Sequence, residues 1–226
     1  MKIVIAPDSF KETLSASEAA NAIEAGFLEF FPSAEILKLP IADGGEGTVD
    51  VLVSATKGSY FSTNVLGPMG EVVSARWGML GDTKTAVIEV AEACGLHLVS
   101  VEKRNPMIAS SHGVGELILA AVDEGAEHII IGLGGSSSND GGIGFLRAIG
   151  VRFLDISGNQ LRRDVSSLSS LSDIDLSYMD PRLKGISFEV ACDVDIPLVG
   201  PQGASAIFAS QKGADSEMID QLEIIL

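Results

Sequence analysis

The sequence has 226 residues, 46% of them hydrophobic and 20% charged, which is enough apolar material to bury a sizeable core in one large domain or two smaller ones and leaves little room for disorder. A formal charge of −16 counts against nucleic acid or an anionic membrane as partner, because both would be repelled. Cys94 and Cys192 lack CxxC spacing, His97, His112 and His128 lack HxH or HExxH spacing, and the N-terminus runs straight into a strand with no signal peptide or apolar span; a cytoplasmic location without structural zinc is expected.

Residues 2–6 read as a short apolar strand, ended by Pro7 and Asp8 and followed by the turn Ser9-Phe10-Lys11. Ser15 with Glu18 three residues on is a capping box, and Ala20, Ile23, Phe27 and Phe30 keep helical spacing until Pro32. A second strand over 36–39 leads into Ala42-Asp43-Gly44-Gly45-Glu46-Gly47-Thr48, a glycine loop before a helix with Val49, Leu52 and Val53 inward. The order β-α-β-α places both loops beyond strand carboxyl ends, where open α/β sheets bind ligands.

From residue 59 the texture changes: 60–66, 72–80 and 86–90 are strand-like runs without helices between them, predicting an antiparallel meander turned by Gly67-Pro68-Met69-Gly70 and Gly81-Asp82. A domain boundary near Gly58 follows, with residues 1–58 as the first part of one domain and 59–226 as a second. The α/β rhythm returns with a helix over 113–124, carrying Leu117, Ile118, Ala121 and Val122 on one face and Gly125 at its end.

The stretch over 128–149 changes character three times. Ile129, Ile130 and Ile131 suit a strand buried on both faces. Gly134, Gly135, Ser136, Ser137, Ser138, Asn139, Asp140, Gly141 and Gly142 form a loop that can approach a ligand closely, and Phe145, Leu146 and Ile149 resume helical spacing, so free N–H groups at the helix start would face whatever the loop holds. Phosphate is the natural guest; a glycine-rich surface connection is the plainer alternative. No Lys follows the glycines as a Walker A loop requires, and G-x-G-x-x-G fails because Ser137 stands where its last glycine would be.

Residues 162–178 show weak periodicity and read as loop and short helix. A strand over 186–192 then delivers Asp193 and Asp195 into a segment broken by Pro197, Gly200 and Pro201. Such carboxylates can hold Mg²⁺, accept a proton, or simply make turns. Residues 204–209 look helical, and Lys212 beyond them is within reach of the phosphate reading, although one lysine among 15 basic residues is more often plain surface.

Five motifs stand in order: APDSFK from Ala6, ADGGEGT from Ala42, GLGGSSSNDGG from Gly132, ACDVDIPLVGPQGA from Ala191 and SQKGAD from Ser210. On these the chain resembles the bacterial glycerate kinase family. The resemblance implies an α/β protein of two domains, one flavodoxin-like and incomplete here, one Rossmann-related with the meander. It implies transfer of the ATP γ-phosphate to a hydroxyl of D-glycerate, with Mg²⁺ and with 2-phosphoglycerate favoured over 3-phosphoglycerate; a kinase for another small hydroxy acid or sugar, or a non-catalytic nucleotide binder, stays open, as does a homo-oligomer. Family members are longer, so the sequence reads as a fragment whose residues Ile3, Ile5, Ile23, Phe27, Phe30 and Leu52 would lack covering elements.

Phosphoryl transfer asks for backbone N–H groups on phosphate, a metal, a cation and a base. The loop 134–142 is the phosphate candidate. Lys11, Asp43 and Asp193 are the catalytic candidates, either Asp serving as base or Mg²⁺ ligand, and Ser9, Gly44, Gly45 and Glu46 are the candidates for binding glycerate.

Overall fold

The computed structural model describes residues 1–10 and 13–226, so Lys11 lies outside the described residues. In chain order the elements are β1 (Lys2–Ile5), α1 (Ala16–Phe30), β2 (Glu35–Lys38), α2 (Thr48–Thr56), β3 (Ser59–Leu66), β4 (Val72–Met79), β5 (Thr85–Glu89), α3 (Val90–Cys94), α4 (His112–Asp123), β6 (His128–Gly132), α5 (Ile143–Ala148), β7 (Arg152–Leu154), β8 (Asp173–Asp175), β9 (Ser187–Ala191), α6 (Ala204–Phe208) and α7 (Ser216–Ile225). The fold is mixed α/β. A five-stranded sheet of order β3-β4-β5-β6-β9 dominates, with two-stranded sheets β1-β2 and β7-β8 beside it.

Local sequence accounts for the element limits. Ser15 Oγ accepts from the Glu18 amide at 3.2 Å while the Ser15 amide donates to the Glu18 carboxylate at 2.8 Å, closing the capping box at the start of α1. The expected meander is present: β3, β4 and β5 run antiparallel, and Gly70 turns the first hairpin at φ +93° with its amide on the Gly67 carbonyl. From β5 the pairing becomes parallel, β5 to β6 and β6 to β9.

The period of two in β5 and β6 explains why both read as continuous apolar runs. Ile88, Ile129 and Ile131 face the main core with Trp77, Leu117 and Ile118, so α4 covers that side. Val87 and Ile130 face the opposite side, where Val49 and Val53 of α2 cover them. Helix α2, placed before a boundary at residue 58 by its sequence position, therefore packs on the five-stranded sheet; the two valines contribute about 1.5–3 kcal/mol each by burial. Leu52 shares that contact and Ile5 is buried, which corrects the expectation that both lack cover, whereas Ile23, Phe27 and Phe30 of α1 are exposed.

The region 162–178 keeps the short helix that its sequence suggests and adds a strand that it does not. A 3-10 turn spans Val165–Ser170, and β8 pairs antiparallel with β7, Arg152 opposite Asp175. Strands of three residues are too short for alternation to be visible in sequence.

Candidate functional site

The parallel strands end in line. Glu89 pairs with Gly132 and Gly132 with Ala191, so the segments after β5, β6 and β9 leave the sheet side by side. The loop before α2 is drawn onto this edge by missing side chains. A Cβ on Gly44 would lie 2.4 Å from the Ala191 carbonyl oxygen, one on Gly132 would lie 2.4 Å from the Gly44 oxygen, and one on Gly134 would lie 2.6 Å from Gly45 Cα. The Gly134 amide reaches the Gly44 carbonyl at 3.3 Å and the Leu133 amide reaches Ala191 at 3.2 Å. Three chain segments thus stack backbone to backbone, bringing the loop of Asp43, Gly44, Gly45 and Glu46 against the serine loop and the strand that leads to Asp193. The Asp43 carboxylate accepts from the Gly45 amide at 2.8 Å, so that donor serves the turn. Asp193 and Asp195 are exposed, in a segment without regular structure.

The serine loop is pinned along its length. Ser137 donates to the Cys94 carbonyl from its amide at 2.8 Å and its hydroxyl at 3.0 Å, the Leu96 amide donates to Gly135, and Asn139 Nδ2 donates to Ser205 Oγ at 3.0 Å. Asp140 is buried and fully engaged: Oδ2 accepts from the Ser111 amide and hydroxyl at 2.9 and 2.8 Å and from the Gly144 amide at 3.1 Å, and Oδ1 from the Gly142 amide at 3.2 Å. Ser111 Oγ accepts from Phe145. The start of α5 is therefore satisfied from within, which corrects the expectation that its free amides face a ligand; the sequence shows the helix start but not the carboxylate that fills it. Among the described residues the amides of Gly135, Ser136, Asn139, Asp140 and Gly141 have no hydrogen-bond partner. They are the open donors of the loop, with Gly135 held at φ +70°.

Two further residues belong to this candidate site, Lys212, which the sequence raised only as more often plain surface, and Glu89, which it did not raise. Lys212, only 8% exposed, donates from Nζ to the Ser138 carbonyl at 2.6 Å and to Ser136 Oγ at 3.2 Å, and burial pushes its pKa down. Its place within SQKGAD is the one signal that sequence offers.

Glu89, 4% exposed, accepts from the Val49 amide at 2.7 Å and so caps α2. Burial raises its pKa from 4.5 to about 6, against the lowering effect of the Val49 and Gly47 amides. A raised carboxyl pKa means the unfolded chain ionises first as pH rises, so the contribution is fully present below pH 4.5 and is lost as pH passes through about 6. The loss is about 2 kcal/mol, at 1.36 kcal/mol per pH unit. Glu89→Gln is expected to flatten that part of the stability profile, measured by urea unfolding across pH 4 to 7; an unchanged slope would show that Glu89 does not titrate there.

A cavity of about 430 Å³ opens between residues 9, 10 and 13–17 on one side and α2 on the other, lined by Ser9, Glu46, Asp50, Arg76, Glu89 and Glu92. Arg76 sits in this acidic lining with Nη2 2.8 Å from Asp50 Oδ2. Ser9 and Glu46, two of the glycerate candidates, thus meet at one cavity. Among the described residues no group of three or more His, Cys, Asp and Glu is placed to hold a metal, and no helix is long and apolar enough to cross a membrane.

Residues 3–226 match the model of the glycerate kinase family. The glycerate kinase of Bacillus subtilis (strain 168) is 58% identical over 223 residues, covering 99% of this chain and 58% of that protein; the glycerate 2-kinase of Escherichia coli (strain K12) is 56% identical with the same coverage. A crystal structure given as glycerate kinase 2 of Salmonella typhimurium LT2 superposes with a TM-score of 0.91 at 52% identity, over all of this chain and 60% of that one. The chain spans about three fifths of the length of the relatives it matches. It belongs to the glycerate kinase family.

Proposed function

We propose that the protein carrying this chain transfers the γ-phosphate of ATP to a hydroxyl of D-glycerate, 2-phosphoglycerate being the product, in the cytoplasm. The observation that carries the reading is the backbone stack at Gly44, Gly132 and Gly134, because it places the acidic glycine loop, the open amides of Gly135 and Ser136, and the strand before Asp193 on one sheet edge. Support also comes from the relatives, one of which is named a glycerate 2-kinase.

In this reading the serine loop takes phosphate, and Ser9, Gly44, Glu46 and the cavity behind them take glycerate. Lys11 neutralises the transferred group. Mg²⁺ suits the donor set, since it usually binds one or two carboxylates and completes its shell with water and substrate phosphate; Asp193 and Asp43, both exposed beside the stacked loops, would hold it. When bound, the metal supplies charge neutralisation to the phosphates. Asp43 also shapes its own turn, which leaves Asp193 the freer base for the glycerate hydroxyl. The domain division enters as part of the same proposal: residues 1–58 begin a discontinuous domain, with α2 as its tie to the sheet of 59–226.

Incubation with D-glycerate, ATP and Mg²⁺, followed by phosphorus NMR, is expected to give the resonance of 2-phosphoglycerate. The resonance of 3-phosphoglycerate would move the attacking hydroxyl. Phosphorylation of another hydroxy acid in preference to glycerate, or of none, would remove the assignment.

A further inference from the structure

The serine loop has no basic residue within 134–142, and α5 gives it little positive character because the amides of Gly142, Gly144 and Phe145 are spent on Asp140 and Ser111. An anion bound there needs charge from elsewhere in the chain. We propose that Lys212 is the cation of this loop, and that with the Gly135 and Ser136 amides it forms the subsite for the polyphosphate of a nucleotide.

The geometry is that of a built position. The Lys212 ammonium has three N–H donors. One goes to the Ser138 carbonyl and one to Ser136 Oγ, which fixes the nitrogen directly beneath the loop and leaves the third uncommitted among the described residues. The side chain arrives from a tight turn, Ser210–Lys212, that is clamped from behind. Gly213 stands at φ +94° where a Cβ would lie 2.3 Å from the Arg104 carbonyl oxygen, and Arg104 Nη1 donates to the Gln211 carbonyl at 3.1 Å.

What is missing is a counter-charge. A buried ammonium is normally paired, because an unpaired charge out of water is costly. Among the described residues Lys212 makes no ion pair within 4.0 Å. Asp140 is the carboxylate that acts on it electrostatically, and its oxygens already take four hydrogen bonds from elsewhere. Two carbonyl and hydroxyl dipoles hold the ammonium in place without neutralising it. A phosphate oxygen on the Gly135 and Ser136 amides would supply the absent charge next to Ser136 Oγ.

The inference rests on the nucleotide reading of the loop and is tested by calorimetric titration of this chain with tripolyphosphate and with ATP. Lys212→Met is expected to weaken both ligands by about 10–100-fold, the range for one hydrogen bond to a charged group. Lys212→Gln keeps a donor for the Ser138 carbonyl but no charge, and should show the same loss. Native-like affinity in Lys212→Gln would show that the lysine is only a strut and overturn the inference, as would native-like affinity in Lys212→Met. Should the Met variant melt too low to titrate, the Gln variant decides. A native chain that binds neither ligand overturns both the inference and the nucleotide reading, whereas native binding with unchanged variants removes the inference alone.

Discussion

On the proposed function, Asp193→Asn in the full-length protein that carries this chain is expected to lower kcat for glycerate phosphorylation by about 10²–10⁴-fold, the range for losing a positioned general base, while the melting curve stays where it is. The two halves have separate causes. Asparagine keeps the shape of aspartate but can neither take the hydroxyl proton nor offer a full charge to Mg²⁺. Stability should not move because Asp193 is exposed and, among the described residues, without a hydrogen-bond or ion-pair partner. Its position is nevertheless set closely, two residues past Ala191, whose carbonyl receives the Leu133 amide and abuts Gly44. Steady-state kinetics with glycerate varied at saturating Mg·ATP would check this; near-normal kcat with an intact melting curve would end the catalytic role of Asp193, and a rise in KM alone would make it a binding residue.

The second large effect is expected from Gly44→Ala. A side chain there meets two obstacles: φ +96°, which L residues rarely adopt, and the Ala191 carbonyl oxygen 2.4 Å from the new Cβ. Backbone strain costs about 1–3 kcal/mol and forced overpacking another 1–3 kcal/mol, so a loss of about 2–6 kcal/mol is expected. Gly47→Ala isolates the first obstacle, because Gly47 has φ +95° with nothing within 4 Å of its Cβ position. Gly44→Ala should therefore be the less stable of the two by the packing contribution, read from urea unfolding of both. If the variants unfold alike, the loop does not lean on β9 as closely as described. If Gly44→Ala keeps its stability by letting the loop swing away, the displaced glycerate candidates should cost about 10²-fold in activity.

These residues show what sequence discloses and what it hides. The strand over Ile129, Ile130 and Ile131 was legible because three β-branched residues in a row fit only burial on both faces, and α4 and α2 do cover those faces. The capping box of Ser15 and Glu18 was legible because both partners lie within one helical turn. Composition could not separate two uses of glycine. Gly44, Gly132 and Gly134 let backbones touch, whereas Gly135 turns the chain at φ +70° and leaves its amide without a partner among the described residues, yet all read alike as a glycine loop. The anchors Glu89 and Lys212 act across 40 and 76 residues of chain, and no local spacing marks such pairs. The apolar stripe of α2 shows which side is buried; it does not show which sheet receives it.

The parallel order β5-β6-β9 has a kinetic corollary. Residue 85 must find residue 128, and residue 128 must find residue 187, before either ladder can form. Closing such long loops costs chain entropy ahead of any hydrogen bond or burial that offsets it, which makes parallel pairings slow relative to the local β3-β4 hairpin. Glu89, Gly132 and Ala191 come into line only once both closures are complete. The meander is thus expected to form early and the loops proposed for phosphate and glycerate late, so that competence to hold the proposed ligands arrives with the last steps of folding.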